Sequence, residues 1–331
     1  MLRHFVFREP SGGFVYYDLS DSSAEIEICG KGFRRLYGID LSLYEFLRES
    51  GFDSRYAAMI VSGFENRKKM SGMPLLMGVV NATPDSFYPA SRISENERLL
   101  DRMIDAKPDI IDIGGESSRP GSHVIGADDE IKRIRPVVQY LSSVTDIPLS
   151  IDTYHPETVE AMLDYGIGYI NDISGFSDSR MRAIASESRL KCIVMHMRGD
   201  HSNMQTLTEY RNLVAEINGF FYSRLLDMQH SGIDPEMVIL DPGIGFSKKF
   251  SGNVEILRSI DSFRIGFPLL VGTSRKSWIG NITGEDVFHR LPGTIASSIY
   301  LQMHGVDILR VHDVSENRSA LMVFRELNGS T

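Results

Sequence analysis

Three oxygen-bearing side chains close short apolar runs in the middle of this sequence: Asp152 after "PLSI", Asn171 in "YINDI" and Asp241 in "MVILDPG". Residues that end neighbouring strands can converge on one pocket. A carboxylate flanked by amides suits a flat heterocycle that offers an N–H and an exocyclic amine, because two parallel hydrogen bonds fix both position and tautomer. The plainer reading of Asp152 and Asp241 is an internal salt bridge or a helix cap. In "DPGIGF", Gly243 and Gly245 would let backbone approach a ligand closely.

A second group is cationic. Arg275 and Lys276 follow the apolar run "LLVG", and Arg310 and His312 sit in "ILRVHDV", where strand alternation sends both to the same side. Such a cluster fits an anion, and "RLPGTIASS", with Gly293 and Thr294, can open a helix whose N-terminus adds N–H groups and a favourable dipole. Arg275 taken alone is expected to pair with a surface carboxylate. A Schiff-base role for Lys276 would need a desolvated setting, whereas the residue follows Thr273, Ser274 and Arg275. The histidines make no metal site: there is no H-x-x-x-H, and His196 and His201 straddle a strand-to-loop change. A Mg2+ ion shared between a ligand's phosphates and an oxygen such as that of Asn81 stays open.

These residues need a scaffold, and its pattern begins near residue 75. Eight apolar runs (75–81, 109–115, 148–152, 169–173, 191–197, 237–243, 268–274 and 308–314) alternate with helical segments such as "EIKRIRPVVQYLSSV" and "PETVEAMLDYG". The pattern predicts an α/β fold, a (β/α)8 TIM barrel with a small N-terminal α+β extension. An open dinucleotide-binding sheet is the competitor, but it should carry G-x-G-x-x-G after its first strand, where this chain has "NATPDSF". Barrel enzymes work at the C-terminal ends of their strands, which here carry Asn81, Glu116, Arg119, Asp152, Asn171, Asp172, His196, Arg198, Asp241, Lys276, Arg310, His312 and Asp313. Residues 1–72 follow another grammar, with strand-like "FVYYDL" and "AEIEI" and helix-like "LSLYEFLRES" and "SRYAAMIVSGF". They form a separate element in this reading, suited to packing, dimer contact or partial cover of the barrel at 73–331.

Composition narrows the partners. The 331 residues are 42% hydrophobic, enough for a substantial core, and 35 Lys plus Arg against 44 Asp plus Glu give a net charge of -9. That balance argues against nucleic acid as a partner. The N-terminal "MLRHFVFREPSGG" is too interrupted for a signal peptide, and no apolar run approaches the roughly 20 residues a membrane span needs. Two cysteines, Cys29 and Cys192, supply no disulfide framework and fit a reducing cytoplasm.

Taken in order, "MGVVNATPDSF", "DIIDIGGESSRPGS", "SIDTY", "YINDISG", "VMHMRG", "ILDPGIGF", "LLVGTSRKSWIG" and "ILRVHDV" resemble the motifs of the dihydropteroate synthases, over the chain from about residue 75 to its end. The resemblance implies a homodimeric barrel that joins 4-aminobenzoate to 6-hydroxymethyl-7,8-dihydropterin diphosphate in folate synthesis, releasing diphosphate with Mg2+. Motif by motif, it implies that Asp152, Asn171, Asp241 and Lys276 hold the pterin, with Asp152, Asp241 and Lys276 catalytic. It implies that Asn81, Arg310 and His312 hold diphosphate, Asn81 also the metal, and that Ser118, Arg119, Pro120 and Ser277 border the aminobenzoate. Two departures stand out. Tyr88 and Pro89 replace the family's Ser-Asp after "NATPDSF", and Ser118 replaces a common threonine. Two other readings remain: a pterin-binding paralogue without catalysis, suggested by Pro89, and a pterin-dependent methyltransferase, which would have no reason to keep Lys276 with Ser277 or Arg310 with His312.

Overall fold

The computed structural model describes residues 4–8, 14–18, 25–28, 43–65, 72–82, 93–116, 125–200 and 202–329. The chain opens with an antiparallel three-stranded sheet of β1 (His4–Arg8), β2 (Phe14–Asp18) and β3 (Glu25–Ile28), then α1 (Leu43–Glu49) and α2 (Ser54–Glu65). Eight parallel strands follow: β4 (Leu75–Asn81), β5 (Ile110–Gly114), β6 (Leu149–Asp152), β7 (Tyr169–Asp172), β8 (Lys191–Met195), β9 (Val238–Asp241), β10 (Leu270–Val271) and β11 (Ile308–Val311). Helices α3 (Ile93–Asp105), α4 (Ala127–Val144), α5 (Pro156–Glu160), α6 (Ser179–Glu187), α7 (Leu213–His230), α8 (Phe250–Arg258), α9 (Ser277–Thr283), α10 (Leu291–Met303) and α11 (Val314–Leu327) connect or follow them. The strands pair in the order β10-β11-β4-β5-β6-β7-β8-β9, and a Leu240–Leu269 bridge joins the two ends. This is the TIM barrel that the eightfold alternation predicts. No described helix is long and apolar enough to cross a membrane.

Two elements differ from the sequence reading. The helix expected over "PETVEAMLDYG" stops at Glu160 and resumes as a single 3-10 turn at Leu163–Tyr165, ended by Gly166 in the left-handed region. Val159 and Met162 are both fully buried, so the short return to β7 bends to keep each against the core. The seventh barrel strand shrinks to Leu270–Val271, because Thr273, Ser274 and Arg275 already turn toward α9.

The barrel interior is filled in rungs. Met77, Ile110, Tyr169, Ile193, Ile239, Leu270 and Ile308 form one buried apolar cluster across seven strands. Side chains two positions apart on a strand share a face, so the residues two places on are the next rung toward the C-terminal mouth. On four of these strands that rung is Asp112, Asn171, Asp241 and Arg310.

The segment ahead of the barrel meets its N-terminal side. Leu47, Phe52, Tyr56, Ala57 and Ile60 join the same core cluster as the outer faces of the strands. Tyr56 donates its hydroxyl to the Ile233 carbonyl at 2.9 Å, just before β9, and its ring faces Phe267 just before β10. Gly63 and Gly266 meet with no room for a side chain: a Cβ on Gly63 would lie 2.0 Å from the Gly266 nitrogen. A cavity of about 240 Å³ at this junction is lined in part by Arg55, Tyr56, Arg189, Gln229 and Asp234, at the barrel end opposite the polar rung.

Candidate active site

The strand ends and the turns after them bring six ionisable or amide groups close together. Arg310 on β11 crosses the barrel, donating Nε–H to Asp112 Oδ2 at 2.6 Å and Nη2–H to Asp152 Oδ2 at 2.5 Å. Asn171 donates Nδ2–H to the same Asp112 oxygen at 3.0 Å. Asp241 caps its own turn, accepting the Gly243 N–H at 2.8 Å. Lys276 donates to the Ile244 carbonyl in that turn, and its ammonium lies 4.9 Å from the centre of the Phe246 ring. Gly245 has φ +89°, a conformation L side chains resist, and lies in van der Waals reach of the Lys276 side chain.

The electrostatics follow from burial. Desolvation pushes the Asp152 carboxyl up to about 7, with Arg310 pulling it down and Asp112, Glu130 and Asp172 pushing it further up. Burial also raises Asp241, against the pull of Lys276 and the Gly243 N–H. Burial lowers the Lys276 ammonium to about 8, opposed by Asp241 and Asp152. Arg310 is held firmly charged by Asp112 and Asp152. Three carboxylates against two cations leave this cluster with a net negative charge when all are ionised. It suits a ligand edge rich in N–H donors and a centre that becomes positive during reaction.

Several sequence expectations change here. The four-cation cluster does not form a single anion trap. Arg275, at φ +55°, turns away to a bidentate pair with Asp313, with both contacts at 2.8 Å, as the plain reading of that residue expects. His312 lies beyond the end of β11, is exposed, and meets Ser274 Oγ through Nδ1 at 3.0 Å. Arg310 spends Nε and Nη2 on carboxylates. Partial burial lowers the Lys276 ammonium despite its polar neighbours, so those neighbours alone do not argue against a Schiff base. Its hydrogen bond to the Ile244 carbonyl and the charge of nearby Asp241 instead support a binding role.

The glycines and helix start also read differently. Gly243 is required by φ +68° and by the His196 carbonyl, which a Cβ would meet at 2.1 Å. The start of α10 is tied to Arg275, whose N–H bonds to Thr294 Oγ1 at 2.9 Å, while Gly293 makes room for Ile279.

Other strand-end residues face elsewhere. Asp172 locks the following turn, accepting from Ser174 N, Ser174 Oγ and Phe176 N, and burial raises it to about 6. His196 points outward, its Nδ1 3.0 Å from the buried Lys248 ammonium. Burial holds both of these groups well below their ordinary pKa values. Arg198 pairs with Glu216 and lies over the Tyr210 ring. Glu116 accepts from the Tyr154 hydroxyl at 3.1 Å. Asn81 ends β4, half-buried, and Ser277 opens α9, exposed. Ser118, Arg119, Pro120, Tyr88 and Pro89 lie outside the described residues.

Three buried groups escaped the sequence reading. Asp112 is signalled only by a carboxylate in the middle of "IIDI", a poor place for a charge unless it has partners. Glu130, which accepts from Thr153 and Thr158 at 2.6 Å each, reads as one more charge on an amphipathic helix. Lys248 donates to the carbonyls of Gly243, Phe246 and His196 and fixes the turn after β9, yet "SKKF" reads as solvated.

Comparison with known proteins places this geometry. The family model described as "Pterin binding enzyme" matches residues 77–312. The chain is 40% identical to the dihydropteroate synthase of Synechocystis over 245 residues, 72% of this chain and 85% of that protein. It superposes on dihydropteroate synthase of Xanthomonas albilineans in complex with 7,8-dihydropteroate at TM-score 0.69 and 32% identity, covering 77% of this chain and 94% of that one. Against dihydropteroate synthase from Thermus thermophilus in complex with 4-aminobenzoate, the TM-score is 0.69 at 37% identity, over 77% and 95% of the chains. A barrel of this topology and a match over most of its length lead to one conclusion: the chain belongs to the pterin-binding enzymes, among the dihydropteroate synthases, transferases of folate biosynthesis.

Proposed function

We propose that the chain joins 6-hydroxymethyl-7,8-dihydropterin diphosphate to 4-aminobenzoate, giving 7,8-dihydropteroate and diphosphate. The observation that carries this reading is the set of acceptors at the barrel mouth, the Asp152 and Asp241 carboxylates with the Asn171 amide oxygen, beside the Lys276 ammonium donor. A pterin offers a matching edge: ring N–H and exocyclic amine to the acceptors, a carbonyl or ring nitrogen to the ammonium. Asp152, Asp241 and Lys276 act catalytically in this scheme, and Asn171 aligns the ring. The methylene–oxygen bond to diphosphate breaks, the excess negative charge of the cluster stabilises the cation left on the pterin methylene, and the aminobenzoate nitrogen attacks and then loses a proton.

Arg310, His312 and Asn81 hold the leaving diphosphate, Arg310 through Nη1, which neither carboxylate engages. Ser277, with Ser118, Arg119 and Pro120, borders the aminobenzoate. Among the described residues no group of three His, Cys, Asp or Glu side chains is arranged to hold a metal ion. The Asn81 carboxamide oxygen, at the end of β4, would be the protein's ligand to a Mg2+ ion shared with the diphosphate. The ion supplies charge neutralisation of the leaving group.

The lysine and arginine favour a synthase over a methyltransferase, since a methyl transfer releases no diphosphate for Arg310 to hold. We also propose a division at residue 72, with 1–72 a brace for the barrel at 73–331, and a cytoplasmic setting that keeps the buried Cys192 thiol reduced. A homodimer is part of the same proposal. Most exposed large apolar side chains among the described residues lie on α9 to α11 and their links, including Ile282, Phe288, Met303, Met322, Val323 and Leu327. Sedimentation velocity should give twice the 37.2 kDa chain mass, and a monomer at micromolar concentration would remove the dimer. Product formation from the two substrates with Mg2+ tests the function itself; pterin binding without product would assign the chain to the non-catalytic paralogues.

A further inference from the structure

We propose that Asp112 is a positioning residue that sets the pterin-recognition end and the leaving-group end of the site through one carboxylate oxygen. The inference rests on the function proposed above. Asp112 is fully buried, and it acts through Asn171 and Arg310.

Its Oδ2 takes two donors from opposite sides of the barrel, Asn171 Nδ2 at 3.0 Å from β7 and Arg310 Nε at 2.6 Å from β11. Each bond has a directional consequence. A carboxylate beside an arginine only accepts, so the Asn171 amide must turn its nitrogen to Asp112 and keep its oxygen as an acceptor for the ligand. Among the described residues no other side-chain hydrogen bond of Asn171 selects that flip. An arginine held by Nε is anchored at the root of its fork, which leaves the terminal nitrogens to divide between Asp152 and an anion. Without this anchor the guanidinium is held by Asp152 alone, the carboxylate that the pterin needs.

The placement is costly. The apolar rung just below shows what this interior accepts, and Asp112 Oδ1 is buried without a partner. Across the ladder Ser150, paired in register with Asp112, also has a buried hydroxyl without a partner. An orphaned buried acceptor works against folding. A neutral residue of the same shape would avoid that cost but would no longer dictate which face Asn171 shows or hold Arg310 by charge.

The test uses the full chain and three readouts: affinity for 6-hydroxymethylpterin without its diphosphate, affinity for inorganic diphosphate with Mg2+, and KM for 4-aminobenzoate. Asp112→Asn should weaken the pterin at least tenfold and diphosphate at least threefold, while the aminobenzoate KM stays within twofold. Ser150→Ala, its buried ladder neighbour, should leave all three within twofold. Pterin or diphosphate affinity within twofold of wild type in Asp112→Asn overturns the proposal, as does an equal loss in all three readouts, which marks a merely structural role. Asp112→Ser serves as the second variant, and failure of both to fold also overturns it. A wild-type chain that makes no dihydropteroate while Asp112→Asn still loses both affinities sinks the synthase reading and leaves the positioning role standing.

Discussion

At the scale of single residues, the site works because burial has moved Asp152 and Lys276 toward each other on the pH axis. Asp152, up to about 7, faces Asp112, Glu130, Asp172 and Arg310; Lys276, down to about 8, faces Asp241, Asp152 and Arg310. In the proposed function the pterin takes Asp152 as an acceptor and Lys276 as a donor. As pH falls through about 7, Asp152 takes up a proton and stops accepting; as it rises through about 8, Lys276 loses the proton it donates. Pterin affinity should therefore peak between these values and decline on both sides, and titration calorimetry at a series of pH values checks it. A flat profile from pH 6 to 9 would remove these two groups from the contact. Lys276→Ala should lose a charged hydrogen bond worth roughly 1.5 to 3 kcal/mol, tenfold or more in pterin affinity. A loss below twofold would place Lys276 outside the pterin site.

At the scale of elements, the sequence exposes the scaffold more fully than the contacts inside it. Eight apolar runs ending in polar residues are enough to foresee the barrel and to put Asp152, Asn171, Asp241, Lys276 and Arg310 at its mouth, because strand period and strand ends are local properties. Partners set by closure of the barrel are not local. Arg310 and Asp112 are far apart in sequence, and a lone Asp in "IIDI" does not reveal that they meet. The same limit hides Lys248, whose carbonyl partners exist only once the turn after β9 folds back. It also explains the misread helix at 156–166, where amphipathic spacing was present but the short return to β7 overrode it.

Element docking has its own test at Gly63 on α2. A methyl there would drive into the Gly266 backbone, so Gly63→Ala should destabilise the chain by about 1 to 3 kcal/mol, as overpacking does. Thermal denaturation should show the drop, with pterin affinity of the folded protein unchanged, because the contact lies at the opposite end of the barrel. Equal stability would mean that α2 does not brace that end.

At the scale of the whole molecule, the barrel divides its labour between two ends. The N-terminal end is packed by Tyr56, Phe52 and the Gly63–Gly266 contact, beside a cavity lined in part by charged side chains. The C-terminal mouth holds a charged cluster whose partially opposed demands, buried carboxylates that resist ionisation and an ammonium that sheds its proton easily, are poor for stability and useful for binding a polar heterocycle. The overall charge of -9 makes no broad field for anions, so the proposed function has the diphosphate met locally, by Arg310 and its neighbours.

The most direct test is to mix purified protein with 6-hydroxymethyl-7,8-dihydropterin diphosphate, 4-aminobenzoate and Mg2+ at pH 7.5, following dihydropteroate by chromatography and diphosphate by a coupled assay. The account predicts equimolar dihydropteroate and diphosphate, dependent on both substrates and lost in Lys276→Ala at subsaturating pterin. Tight pterin binding with neither product formed would contradict it.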